Sequence, residues 1–174
     1  MSNILDTDPK VGAVGALLLY PDQKTIQHCG VFFSHKTNNL PFHMFYRKPL
    51  SEVSSFISVP RYYQAVTGAC MLVRREDFEA VGGFNEDYYY GFEDVQLCLD
   101  IKDNFKKRSV YCPQAQLIHH EGISDFSDKD NHTGLQNNIK VFRENCSKKY
   151  FNDLEFYIND PKFMVYKMKQ PSEE

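Results

Sequence analysis

Apolar residues run without a break from Val11 to Tyr20 (VGAVGALLLY), and after Pro21-Asp22-Gln23-Lys24 the run resumes from Thr25 to Phe33 (TIQHCGVFF). Two apolar segments of strand length around such a turn predict a β-hairpin. From Ser34 to Pro60 the period is lost, and Pro, Asn and Ser accumulate around Phe42, Met44, Phe45 and Tyr46. A long excursion that keeps its aromatic residues reads as a candidate wall of a binding site, not as an interdomain linker. Ala69 to Val73 predicts a buried strand, and Arg75 to Val81 a short helix closed by Gly82-Gly83. Phe92 to Asn104 predicts a helix with Val95, Cys98, Leu99 and Ile101 on one side and two acids, Glu93 and Asp94, in its first turn. Arg108 to Cys112 and Gln116 to His119 predict two strand segments parted by Pro113. Leu135 to Tyr150 predicts an amphipathic helix from Ile139, Phe142 and Cys146. The fold class is α/β, a mixed sheet flanked by helices, with one domain over 1–160 and a frayed tail over 161–174.

The composition narrows the classes. With 174 residues, 42% hydrophobic and 14% aromatic, the chain can bury a core, and its net charge of −3 without a basic block argues against nucleic acid as a partner. Five cysteines without paired spacing, three of them inside apolar runs, suit a reducing, cytoplasmic setting. No apolar run is long enough to span a bilayer, so membrane association would have to come from a longer, full-length protein.

The densest pattern is VTGACMLVRREDFEAVGGFNEDYYYGFEDVQLCLD, from Val66 to Asp100. Gly68-Ala69, an apolar strand, Arg74-Arg75, a short helix, Gly82-Gly83-Phe84-Asn85-Glu86 and Glu93-Asp94 follow one another in an order that resembles the acceptor side of family 2 glycosyltransferases. The resemblance covers roughly residues 8–160. It implies a partial GT-A fold, the C-terminal half of a catalytic domain that lacks the nucleotide-binding half and its Asp-x-Asp motif, and so a chain that is inactive alone. Asp6-Thr7-Asp8 has the letters of that motif without the preceding apolar strand, and is read as a decoy.

What the resemblance implies for chemistry is transfer of a sugar from a nucleotide-sugar donor to a hydroxyl of a glycan or lipid-linked acceptor, with inversion. Asp94 matches the base that takes the hydroxyl proton. Glu93, about 100° away around the helix, would position the acceptor, and Gly68, Glu86, Tyr89 and Tyr90 would contact it. His119, at the end of the strand before His120-Glu121-Gly122, matches a ligand of a divalent metal, Mn2+ or Mg2+, with carboxylates carrying most of the site. Gly122 would let the backbone approach phosphate.

Other readings remain. Glu93 and Asp94 also suit plain dipole-complementing acids, the histidine pair an exposed turn, and Arg74-Arg75 a solvated edge; His28, His35, His43 and His132 read as ordinary surface or loop residues. A non-catalytic acceptor-binding or assembly module would keep the same architecture. A metal-dependent hydrolase would need His119, His120, Glu121 and Asp94 to converge. If Asp94 and His119 are the functional pair, they must open onto one cleft. An apolar sheet edge should also be left open, and a second copy of the chain would cover it.

Overall fold

The computed structural model describes residues 1–89, 91–120 and 128–169, with the backbone alone for 128–133. Its axis is strand β1 (Val11–Leu19), buried along its whole length. Strand β2 (Ile26–His28) pairs with it antiparallel near Leu18. Another antiparallel strand, β6 (Met71–Val73), pairs with it at Ala13–Gly15, and β7 (Arg108–Ile118) runs parallel to all of it. Since β7 takes one whole edge of β1, β2 and β6 divide the other. A strand hydrogen-bonded on both edges and covered on both faces has no solvent side, which is why its sequence is continuously apolar and does not alternate. On the far side of β7, β5 (Arg61–Tyr63) covers Ser109–Tyr111 of that strand. Among the described residues no strand covers that side of Gln116–Ile118, where Leu117 and Ile118 are exposed.

Two expected elements are rearranged. The segment Thr25–Phe33 is not one strand, because Gly30 takes φ +126° and a side chain there would meet the Tyr63 ring at 2.3 Å. The chain turns at Gly30 and hands Val31–Phe33 (β3) to a separate two-stranded sheet with β4 (Pro41–His43). Conversely, the two segments around Pro113 are one strand. The pairing slips from Ala16–Cys112 to Leu17–Gln116, so residues 113–115 bulge out and the proline, which has no N–H to give, is accommodated without ending the ladder.

Helix α4 (Glu93–Phe105) buries Val95, Cys98, Leu99 and Ile101 as its spacing requires. Val95, Cys98 and Leu99 pack in one cluster with Phe142 and Cys146 of α5 (Asp128–Cys146). The short helices are α1 (Ser2–Thr7), α2 (Ser54–Ile57), α3 (Arg75–Ala80) and α6 (Leu154–Asn159). Gly82 and Gly83, both at positive φ, end α3, with the Gly83 amide bonded to Phe78 O. Ala69 and Cys70, expected as the start of a buried strand, belong to a 3-10 turn over Gly68–Cys70, and β6 begins only at Met71.

The chain beyond Pro161 is not frayed over its described part. Arg61 is almost fully buried and donates to the carbonyls of Pro161 and Phe163 at 2.5 and 2.8 Å while its guanidinium lies over the Phe56 ring. Tyr166 is buried, and Lys169 reaches Asp8 at 2.8 Å. A buried guanidinium needs acceptors, and the tail supplies them as backbone carbonyls. No described helix is long and apolar enough to cross a membrane.

Candidate functional site

The Thr67 to Ala69 segment, the start of α4, the β3–β4 arm, strand β2 with Leu18 of β1, and His119 surround a cavity of about 430 Å3. Asp94 and His119 both line it, as does Glu93. The arm contributes Pro41, Phe42, His43 and Tyr46, and β2 contributes Gln27 and His28.

Asp94 is held by three donors. Its Oδ2 accepts from the Thr67 hydroxyl at 3.0 Å and the Gly68 amide at 2.6 Å, and its Oδ1 from the Val95 amide at 2.7 Å. A carboxylate offers about four acceptor positions, so roughly one remains for a ligand. Gly68 matters here because a Cβ on it would stand 3.1 Å from the Asp94 Cβ, closer than ordinary packing allows. The glycine therefore admits the carboxylate itself.

Glu93 differs from its neighbour. Its Oε2 is buried and has no hydrogen-bond partner among the described residues. Burial pushes its carboxyl above the ordinary range, and the Asp94 charge adds to the effect.

His119 follows β7, and its amide continues the ladder to Leu19 O. Its Nδ1 lies 2.8 Å from Gln27 Oε1, and an amide oxygen can only accept, so Nδ1 carries a proton and, in the neutral ring, Nε2 is the atom with the lone pair. That is the state a metal ligand needs. His119 fits as one ligand of a divalent ion. Among the described residues no three His, Cys, Asp or Glu side chains cluster as a metal site, so an ion here would draw its other ligands from elsewhere, a bound diphosphate included. The same observation disfavours the hydrolase reading, in which His120 does not line the cavity and Glu121 lies outside the described residues.

The remaining expected contacts are dispersed. Tyr88 is core, its hydroxyl bonded to Gln96 at 2.6 Å. Tyr89 does not line the cavity; its amide bonds Asn138 of α5 and its ring abuts Gly134. Glu86 is exposed and also away from the cavity. Tyr90 and Gly122 lie outside the described residues. Arg74 turns inward to the carbonyls of Val11, Leu5 and Asp8, which ties α1 to the sheet and leaves it no phosphate-binding role. Asp8 pairs with Lys169 and does not line the cavity, so Asp6-Thr7-Asp8 is no part of this site.

Four side chains of the site escaped the sequence reading. Asn138 bridges Tyr89 N and Gly91 O and so sets the approach to Glu93. Gln27 is the second, and the reading of His28 and His43 as ordinary surface or loop residues is corrected: His28 is fully buried, with its Nδ1 2.7 Å from His43 Nδ1. The available signal was the Gln-His pair inside TIQHCGVFF, since polar groups within an apolar strand must find partners.

The family model described as the N-terminal domain of galactosyltransferase matches residues 48–120, which include Gly68, Glu93, Asp94 and His119. An O-antigen biosynthesis protein of Myxococcus xanthus is 39% identical over 124 residues, 69% of this chain and 9% of that protein. The uncharacterized protein y4gI of Sinorhizobium fredii is 38% identical over 117 residues, 67% of this chain and 13% of its own length. An N-acetylglucosaminyl-diphospho-decaprenol L-rhamnosyltransferase of Mycobacterium tuberculosis is 41% identical over 70 residues, 38% of this chain and 22% of that enzyme. The chain thus spans less than a quarter of each of these curated relatives. No solved structure matches.

Proposed function

Starting from a chain that is glycosyltransferase-like in sequence and mixed α/β in fold, we propose that it forms the acceptor side of an enzyme that transfers a sugar from a nucleotide-sugar donor to a hydroxyl. The observation that carries the reading is that Asp94 and His119, far apart in sequence, line one cavity. Asp94 takes the acceptor proton as the oxygen attacks the anomeric carbon, a single displacement with inversion. Its three donors hold the carboxylate in place, so position contributes as much as proton affinity. A divalent cation, when bound, would supply positive charge against the departing diphosphate; His119 would be one of its ligands, and the Gln27 amide oxygen, 2.8 Å from Nδ1, orients that ring. The family 2 assignment and the GT-A architecture belong to the same proposal.

The acceptor is a neutral sugar. No lysine or arginine is among the described residues that line the cavity, while Glu93 and Asp94 bring two carboxyls and Phe42 and Tyr46 bring aromatic surface. Such a wall accepts hydroxyls and CH faces and repels a phosphate or carboxylate at the reacting end. Ligand-observed NMR on this chain, with methyl hexosides against hexose phosphates, tests it. Saturation transfer to the neutral glycosides, lost in Phe42→Ala, is expected; equal or stronger transfer to the phosphates would refute the acceptor class.

A second reading of the proton acceptor rests on the partnerless Glu93 Oε2. In an active form of the protein, Asp94→Asn and Glu93→Gln separate the two. Loss of turnover with Asp94→Asn and a mainly KM effect with Glu93→Gln supports Asp94, and the reverse transfers the role to Glu93.

A further inference from the structure

His28 sits at the end of β2, fully buried, between the arm and the segment that holds Asp94. Its Nε2 lies 3.3 Å from the Thr67 amide, and an amide N–H can only donate. Nε2 is therefore the acceptor, and the proton of the neutral ring is on Nδ1. That Nδ1 is 2.7 Å from His43 Nδ1, so His43 must accept there and carry its own proton on Nε2. Only this pair of neutral tautomers satisfies both contacts of His28. Burial, with the nearby His43 as a smaller contribution, holds His28 well below the usual imidazole range, which agrees with a neutral ring.

The chain of contacts continues toward the carboxylate. Thr67, whose amide His28 holds, gives its hydroxyl to Asp94 Oδ2, and the next amide, Gly68, goes to the same oxygen. We propose that His28 is a positioning residue for Asp94, acting through the Thr67–Gly68 backbone, and that His43 locks the tautomer that lets it do so. The role of Asp94 as base rests on the reading above; the relay of hydrogen bonds does not. Its consequence is mechanical. His43 belongs to β4, the strand that also bears Phe42 of the cavity wall, so contact with a sugar on that wall and the placement of the carboxylate are linked through two rings and one peptide.

The first test needs no variant: long-range 1H–15N spectra of the chain with 15N-labelled histidine. His28 is expected to be protonated on Nδ1 and His43 on Nε2. A His28 proton on Nε2, or a charged ring at neutral pH, would overturn the relay. Two substitutions then separate positioning from packing. His28→Gln brings an amide oxygen to about the reach of Nε2, whereas His28→Asn reaches only the Nδ1 position. The Gly68 amide proton, which reports its bond to Asp94, is expected to stay in place in the glutamine variant and to move in the asparagine variant. An unmoved Gly68 resonance in a folded His28→Asn protein, or an equal shift in both variants, refutes the proposal. If His28→Asn does not fold, the native tautomers and the glutamine variant still decide it. An active form whose turnover survives Asp94→Asn would remove the base assignment and leave the relay standing.

Discussion

Asp94 and Asp153 are each held by a backbone amide and a neighbouring side chain, and only one of them faces a cavity. Asp94 takes Thr67 and Gly68 on one oxygen, at the mouth between α4 and the arm. Asp153, at the start of α6, accepts from the Phe33 amide at 2.8 Å and from the Gln64 side chain at 2.7 Å, with about 1% of its surface exposed. Burial lifts the Asp153 carboxyl to about 6 in spite of those donors and of Lys102 nearby. The lesson is that donors alone do not make a catalytic carboxylate. What separates the two is access: a sealed carboxylate pins α6 to β3, while an open one keeps a position for a ligand.

The largest effect expected from breaking this contrast is on transfer. In an active form, Asp94→Asn should lower turnover by about 10²–10⁴-fold, the usual contribution of a positioned base, while chemical denaturation shows a stability change of only about 1–2 kcal/mol. Asp153→Ala should do the opposite, costing about 2–4 kcal/mol of unfolding free energy by leaving the Phe33 amide buried without its side-chain acceptor and the Gln64 amide with the Phe151 carbonyl alone.

A smaller effect appears with pH. The folded carboxyl of Asp153 holds its proton more tightly than an ordinary aspartate, so its contribution to stability is fully present below about pH 4 and is lost as pH rises through about 6. Thermal melts should therefore show the wild type losing stability relative to Asp153→Asn between those values. A flat difference between the two curves would mean that folding does not raise the proton affinity of Asp153. The mildest change is Gly68→Ala, which must displace the Asp94 side chain by a few tenths of an ångström. Its stability should stay within about 1 kcal/mol, while turnover falls by up to about 10²-fold, since small misplacements of reacting groups are costly.

What the sequence by itself determined was the set of local elements and the pair of carboxylates. The unbroken run from Val11 to Leu19 could only be a fully buried strand, the spacing of Val95, Cys98, Leu99 and Ile101 could only bury one face of a helix, and Glu93-Asp94 had to fall in its first turn. Those are consequences of residue period and of the helix dipole, which neighbours along the chain suffice to express. Tertiary structure alone decided which polar groups meet. The break at Gly30 follows from a tyrosine more than thirty positions away in the chain, the continuity of β7 past Pro113 from its register with β1, and the packed tail from the buried Arg61. In the same way His28, His43, Thr67 and Asp94 come from four separate elements and carry no shared spacing. Their hydrogen bonds exist only once the core has set strand register and helix position, because a buried donor takes whichever acceptor the packing brings within reach.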